Sequence, residues 1–310
     1  MQIDCTEWHY LCCIKFKKTI NMSKKTRFRA YQLGDRGSSF SYSVDSNMTL
    51  IEARYNTVNK QNIWQEMHKI GANQLACLHI TSWDKDHCSS DELRELLNDL
   101  NPMSIEYPGY TPDTDCGRIS LNLIQNYCIK YNKTAKCFSP EYINGLPSGM
   151  ARAYSNIVYN PLYRSDNHND NSVVMLFRKG RFTVLSLGDC ENLRIAQSIQ
   201  NSSIANSETD IMILAHHGAD NGFTTDNFVK TIKPKIAICS SNYDNQFEHP
   251  RQEIRDILYR NDIPLFTTKT GDVIVFCDED NIAHVYNYIT DGKVLSSTYK
   301  FIPRCTVPSE

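Results

Sequence analysis

The chain has 310 residues, 41% hydrophobic and 22% charged, enough for the core of one large α/β domain or two smaller ones. Lys and Arg number 33 against 35 Asp and Glu, which argues against a uniformly basic polyanion binder but leaves room for a local basic patch. No apolar run approaches transmembrane length, so no membrane association is expected. The 12 cysteines are scattered without a Cys-x-x-Cys pair, several in apolar runs (Cys77, Cys239, Cys277), as expected of a reduced, cytoplasmic chain.

Residues 1–25 read as a flexible N-terminal extension. Met1 to Ile20 lacks the charged-then-apolar order of a signal peptide, and Met22-Ser23-Lys24-Lys25 looks like a more natural start. The basic run from Lys15 through Lys24 and Lys25 to Arg29 reads as a solvated leader. Short strands are expected at Phe28–Leu33, Ser39–Val44 and Thr49–Ala53, around the polar turn Gly34-Asp35-Arg36-Gly37. Residues 60–71 have Ile63, Met67 and Ile70 at helical spacing. Gln74 to Thr81 reads as a buried strand. Ser89-Ser90-Asp91-Glu92 then resembles a capping box, before Leu93, Leu96, Leu97 and Leu100 on one helical face. Residues 101–171 are broken by six prolines and read as an irregular wall over a site, with one helix at 118–131. A hairpin, Ser172–Phe177 and Arg181–Leu187 around Lys179-Gly180, restores order. Helices are expected near 191–200, Thr225–Ile232 and 250–260, with strands at Asp210–Ala215, Lys235–Ser240, Leu265–Thr268, Asp272–Cys277 and Ala283–Tyr288.

The chemistry gathers where these runs end. Thr81-Ser82-Trp83-Asp84-Lys85-Asp86-His87 follows the apolar run Leu75 to Ile80, with two aspartates and a histidine inside four residues. Gly188-Asp189, Ala215-His216-His217-Gly218 and His249-Pro250 follow other strands. Carboxylates and imidazoles are the ligands of zinc, manganese or magnesium, and their recurrence at strand ends points to one metal site at the rim of a sheet. Each motif alone has a plain structural reading, as a helix cap, a strand-to-loop junction or a turn. Cys88 and Cys190 read as packing cysteines, His79 and His284 as structural histidines, and His168 as part of an exposed turn. Tyr154, Tyr159 and Tyr163 are candidates for stacking on a base, in a chain rich in tyrosine throughout.

In their order and spacing, Gly34-Asp35-Arg36-Gly37, Thr81 to His87, Asn171-Ser172, Gly188-Asp189, His216-His217-Gly218 and His249-Pro250 resemble the metallo-β-lactamase superfamily. The likeness is to the branch of the hydrolase domain of ComEC-type DNA-uptake proteins, over roughly residues 27–278. The resemblance implies a four-layer αββα sandwich, here a hydrolase domain over residues 26–290 followed by a C-terminal tail at 291–310. It implies metal ligands at Asp84, Asp86, His87 and Asp189, with His216 favoured over His217, and one or two divalent ions (Mn, Zn or Mg). It gives Asp86, His217 and His249 catalytic roles, and places Ser82, Asn160 and Asn171 where substrate binds. Ser82 stands where the family's first histidine belongs, Asn160 where another histidine is common, Glu52 for a familiar aspartate, and Ala219 for a serine. One half of a two-ion site is therefore depleted.

The expected function is a metal-dependent phosphodiesterase or nuclease acting on nucleic acid, with a cyclic-nucleotide substrate as a variant. A catalytically depleted sensor or partner-binding module is the alternative. Hydrolysis of a lactam or thioester lacks support because the histidine cluster is incomplete. The resemblance also implies a protein partner in a multi-component system.

Overall fold

The computed structural model describes residues 25–146, 155–277, 279–289 and 294–304. The expected leader, apart from Lys25, and Tyr154 lie outside the described residues. Strands β1 (Thr26–Ala30), β2 (Phe40–Val44) and β3 (Asn47–Ile51) form an antiparallel meander. Strands β4 (Cys77–His79), β5 (Ser104–Pro108) and β6 (Thr134–Phe138) extend it in parallel. A second sheet begins with antiparallel β7 (Ile157–Asn160), β8 (Val174–Phe177) and β9 (Val184–Ser186). It continues in parallel through β10 (Ile211–Ile213), β11 (Ile236–Cys239) and β12 (Leu265–Thr267). The chain then returns to the first sheet with β13 (Val273–Cys277), β14 (Ala283–Ile289) and β15 (Val294–Phe301), giving the order β15-β14-β13-β1-β2-β3-β4-β5-β6.

Helices α1 (Lys60–Lys69), α2 (Ser90–Leu100) and α3 (Asp115–Tyr131) belong to the first half of the chain, with the short α4 (Pro140–Asn144) after them. Helices α5 (Leu193–Gln200), α6 (Ser203–Glu208), α7 (Asp226–Ile232) and α8 (Gln252–Arg260) belong to the second. Side-chain alternation along the strands sets the layers. Val173, Met175 and Phe177 face the first sheet, meeting Phe28, Phe40 and Val275, whereas Val174 and Leu176 turn outward onto the helices carrying Ile195, Phe228 and Leu258. Outside the first sheet, Met48, Leu50 and Leu78 pack against Ile63, Leu93, Leu97 and Ile124. Strands of the second sheet are thus buried on both faces, which is why they read as unbroken apolar runs. The result is the four-layer αββα sandwich expected from the resemblance.

Three expectations need correction. Residues 101–171 are not merely an irregular wall: β5 and β6 extend the first sheet and α3 covers it, with Ile105, Ile124 and Phe138 fully buried. The prolines obscure this because they fall at element edges, Pro102 before β5, Pro108 at its last residue and Pro140 at the start of α4. The tail expected from residue 291 instead contains β15, which pairs antiparallel with β14. Its side chains are almost all exposed, so it lacks the alternating pattern that marks a half-buried strand. The helix expected at 250–260 begins at Gln252, with Pro250 just ahead of it.

A buried ionic group locks β1 to β13 and α1. Asp272 Oδ2 accepts from Arg29 Nε at 2.7 Å and its Oδ1 from the backbone N–H of Gln32 at 2.7 Å. Arg29 also donates to the Asn62 carbonyl at 3.3 Å, and Arg27 pairs with Glu66. Removing one partner leaves a buried, unpaired charge, which costs more than the intact pair contributes. Asp272→Ala is therefore expected to lose about 3–5 kcal/mol of stability, read as a lower denaturant midpoint in urea unfolding.

Candidate metal centre

The site forms at the carboxyl ends of parallel strands, where an α/β sheet leaves a crevice. After β4 the chain bonds Ile80 N–H to the Glu106 carbonyl at 2.9 Å and enters the Thr81–His87 loop. Glu52, just after β3, takes Thr81 N–H at 3.0 Å and Thr81 Oγ1 at 2.5 Å on its two carboxylate oxygens. The Asp86 turn is fixed from the other side by Ser38 N–H, which donates to the Asp86 carbonyl at 3.0 Å. A Cβ on Gly37 would stand 2.2 Å from that same carbonyl, so only glycine lets the two loops lie together. On the second sheet, β9 ends into Gly188, at φ +55° with space for a Cβ closed by Ser172, and delivers Asp189. β10 ends into the kinked turn Ala215–Gly218, where His216 and His217 both take positive φ.

These loops bring together Asp86, His87, Asp189 and His217, whose ligand atoms all lie within 4.8 Å of one another. His87 Nε2 is 2.8 Å from Asp189 Oδ2, and His217 Nε2 is 3.5 Å from Asp86 Oδ2 and 4.0 Å from Asp189 Oδ1. Asp189 and His87 are buried, and Asp86 is partly open to the cleft. Each imidazole is oriented from behind. His87 Nδ1 lies 3.1 Å from Glu52 Oε1, and His217 Nδ1 lies 3.0 Å from the Ser240 carbonyl, which only an N–H can satisfy. His217 Nε2 is then a buried nitrogen with no hydrogen-bond partner among the described residues, facing two carboxylates.

The electrostatics match that geometry. Burial works against a charged His87, but Asp189 and Glu52 outweigh it and hold its pKa well above the ordinary imidazole value. His217 is likewise raised: burial opposes it, and the carboxylates of Asp86 and Asp189 overcome that. Against the desolvation that would raise them, Asp86 and Asp189 are pulled below the usual carboxylate range by those histidines. A partnerless imidazole nitrogen beside ionised carboxylates is the donor set of a divalent cation. These residues fit one ion.

The other expected site residues fall elsewhere. The geometry reverses the expected pair: His217 joins the group, while the chain kink turns His216 toward Glu191, 2.6 Å from Nδ1 to Oε1 but out of line for a hydrogen bond. Asp84 also stands outside the four, accepting from Ser82 Oγ at 3.1 Å. Ser82 is fully buried, and its hydroxyl lies 3.1 Å from the Tyr110 phenol, which in turn accepts from Trp83 N–H. Asn160 and Asn171 are engaged by backbone groups. Asn160 Nδ2 donates to the carbonyls of Asp170 and Ser172 at 2.8 Å, and Asn171 clamps Ser165 and Asn167. Both carboxamides are spent on loop structure. Sequence reasoning noted Glu52 only as a replacement for aspartate and missed its role behind His87. Its place at the end of β3, the strand beside β4, was the available signal.

A cleft of 630 Å³ opens over Asp86 and His217, lined also by Arg36, Lys85, Phe247 and His249. His249 stacks on His217 at 6.2 Å between ring centroids and on Phe247 at 5.6 Å. Burial, then the neighbouring His217 and His216, lower its pKa to about 4. That shift favours the neutral ring.

Two sheets flanked by helices, with carboxylates and imidazoles converging at strand ends, make this an αββα sandwich with a candidate metal centre. No protein-family model matches the chain. Over 108 residues, 35% of its length, it is 29% identical to ComE operon protein 3 of Bacillus subtilis (strain 168). A stretch of the same size is 25% identical to Competence protein ComA of Neisseria gonorrhoeae. Those stretches span only 14% and 15% of the relatives' own lengths. Among solved structures, Igni18, a metallo hydrolase from the hyperthermophilic archaeon Ignicoccus hospitalis KIN4/I, is similar over 81% of this chain and 98% of its own. The identity is 12% and the TM-score 0.48.

Glu52 acts on a cation only through His87, so Glu52→Gln, which keeps an acceptor for Thr81, is expected to weaken Mn²⁺ or Zn²⁺ binding by about 10–100-fold in protein that circular dichroism shows to be folded. Calorimetric titration reads this directly. Because His87 and His217 hold protons more tightly than free imidazole, a cation must displace them. Affinity should therefore keep rising with pH above the ordinary imidazole range, with proton release visible as a buffer-dependent binding enthalpy.

Proposed function

We propose that the protein is a metal-dependent phosphodiesterase, a nuclease acting on nucleic acid. The observation that carries this reading is the joining of the Asp86, His87, Asp189 and His217 group to a cleft bearing Arg36 and Lys85. The short similarity to two competence proteins supports it.

A divalent ion at this site would supply charge to a phosphoryl oxygen and lower the pKa of water. The chain's own residues do the rest. Asp86, ionised and open to the cleft, accepts a hydrogen bond from the attacking water and aligns it. Arg36 and Lys85, exposed and without an ion pair among the described residues, neutralise the phosphodiester. Arg36 is presented by its own backbone, since its carbonyl is held by Arg54, whose guanidinium is anchored on Glu92 at 2.9 Å. His249 donates to a substrate oxygen from its neutral ring, and Phe247 beside it offers a face to a base.

One feature favours the alternative of a non-catalytic module. The half of the site where a second cation would be held is closed by the Ser82–Tyr110–Asp84 hydrogen bonds. Metal analysis separates the two readings, because a module of that kind retains no manganese or zinc even after reloading.

The direct test is a matrix of Mn²⁺, Zn²⁺ and Mg²⁺ against DNA, RNA, cyclic nucleotides and an aryl phosphodiester. We expect metal-dependent cleavage by the wild type, abolished in Asp189→Ala and His217→Ala. A metal-loaded protein that cuts none of these substrates is not a phosphodiesterase.

A further inference from the structure

Two shallow grooves adjoin the site cleft, each sharing lining residues with the one before it. The site cleft shares Asn245 with a groove of 370 Å³ lined by Tyr243, Arg255 and Lys269. That groove shares Gln252 and Arg255 with the second, which ends at Tyr259. The path crosses the loop after β11, the outer face of α8, and the turn after β12. On α8, Ile254 and Leu258 point into the core. Gln252, Arg255 and Tyr259, at i, i+3 and i+7, therefore share the outward face.

The charges along this path are uneven in a useful way. Glu248 and Glu253 share Arg251, at 3.0 and 4.0 Å, and Asp256 accepts from the neutral Gln252 at 2.7 Å. Arg36, Lys85, Arg255 and Lys269 make no ion pair among the described residues. Between them stand two largely unpacked aromatic rings, Tyr243 at 72% and Tyr259 at 84% exposed, and Phe247, 50% exposed, which stacks on His249 and lies under Arg36. Exposed rings alternating with unpaired cations fit an unstacked polynucleotide, because every base has a face to stack and every phosphate needs a counter-charge. A duplex offers its phosphates but keeps its base faces covered.

We propose that this surface, from Phe247 past Asn245, Arg255 and Lys269 to Tyr259, is a track for single-stranded nucleic acid that leads one end of the strand into the site cleft. The inference deepens the phosphodiesterase reading and rests on it for the direction of the strand. It makes length a determinant of recognition. A dinucleotide reaches only the cleft, whereas a longer strand also covers α8.

The test is fluorescence anisotropy on the protein as purified, with a labelled phosphorothioate oligothymidylate, which resists hydrolysis. A strand of roughly 12 nucleotides should bind more tightly than a dinucleotide and more tightly than a duplex of the same length. Tyr259→Ala should weaken binding of the long strand about fivefold or more. Arg255→Glu with Lys269→Glu should lower the salt dependence of log K by about 1.4, two phosphate contacts' worth for a single strand. Lys130→Glu, on the opposite helix layer, should change neither, which excludes a general effect of charge. Equal affinity for duplex, no dependence on length, or unaltered binding by the α8 variants would each overturn the track. Cleavage without length-dependent binding would leave the phosphodiesterase reading intact and remove this one. Length-dependent binding by a protein that cleaves nothing would do the reverse.

Discussion

The structure depends most on the placement of His87 between two buried carboxylates from different sheets. Glu52 comes from the end of β3, and Asp189 from the end of β9. A protonated or cation-bound imidazole is the only side chain there that can answer both. Without it, two buried carboxylates would face each other in a medium that penalises each. The contact therefore exists only when the two sheets pack in one position, and the Phe28, Phe40, Val173 and Met175 layer between them fixes that position. Core and site are one constraint seen at two depths. The apolar layer sets the spacing, and the charged cluster at its rim requires that spacing.

That dependence explains what could be read from the sequence. Residues whose role follows from a strand end were legible: Asp86, His87 and Asp189 were singled out by their place after apolar runs, and the structure groups all three. The αββα layering is implied by the family resemblance, whereas the residues alone indicate an α/β chain, through unbroken apolar strand runs and apolar residues at helical spacing. Choices made by local backbone conformation were not legible. His216 and His217 are adjacent and chemically identical, and the positive φ of both residues decides which one turns inward. Asn160 and Asn171 sit where substrate contacts were expected, yet their carboxamides serve backbone groups several residues away, which no spacing rule encodes. β15 was missed for the opposite reason: its pairing is a backbone property, and its exposed side chains carry no periodic signal.

The depleted half of the site is a built structure and not a gap. Ser82, buried, places its hydroxyl between Asp84 and the Tyr110 phenol, and Tyr110 also receives the Trp83 N–H. Burial pushes that phenol up to about 12, so it remains a neutral hydroxyl and adds no ligand charge. Asp84 is itself raised, chiefly by burial, which the charge of His87 only partly offsets. The polar groups on this side satisfy one another without a cation, whereas His217 Nε2 on the other side finds no such partner. The two sides therefore differ: one is satisfied as folded, and the other leaves His217 Nε2 free to meet a ligand.

Three of the ten non-glycine residues with positive φ among the described residues lie at the site. Glu52, His216 and His217 all have positive φ, a conformation that costs a non-glycine residue on the order of 1–3 kcal/mol. Such conformations persist only where the surroundings over-determine them. Each of the three is pinned: Glu52 N–H by the His79 carbonyl at 2.8 Å, His216 N–H by the Gly188 carbonyl at 2.9 Å, and His217 through its ring on Ser240. Glu52 stands behind His87 and His217 belongs to the cluster, so at these two positions the strained backbone accompanies the inward placement of the site's side chains, held there by the fold's own hydrogen bonds.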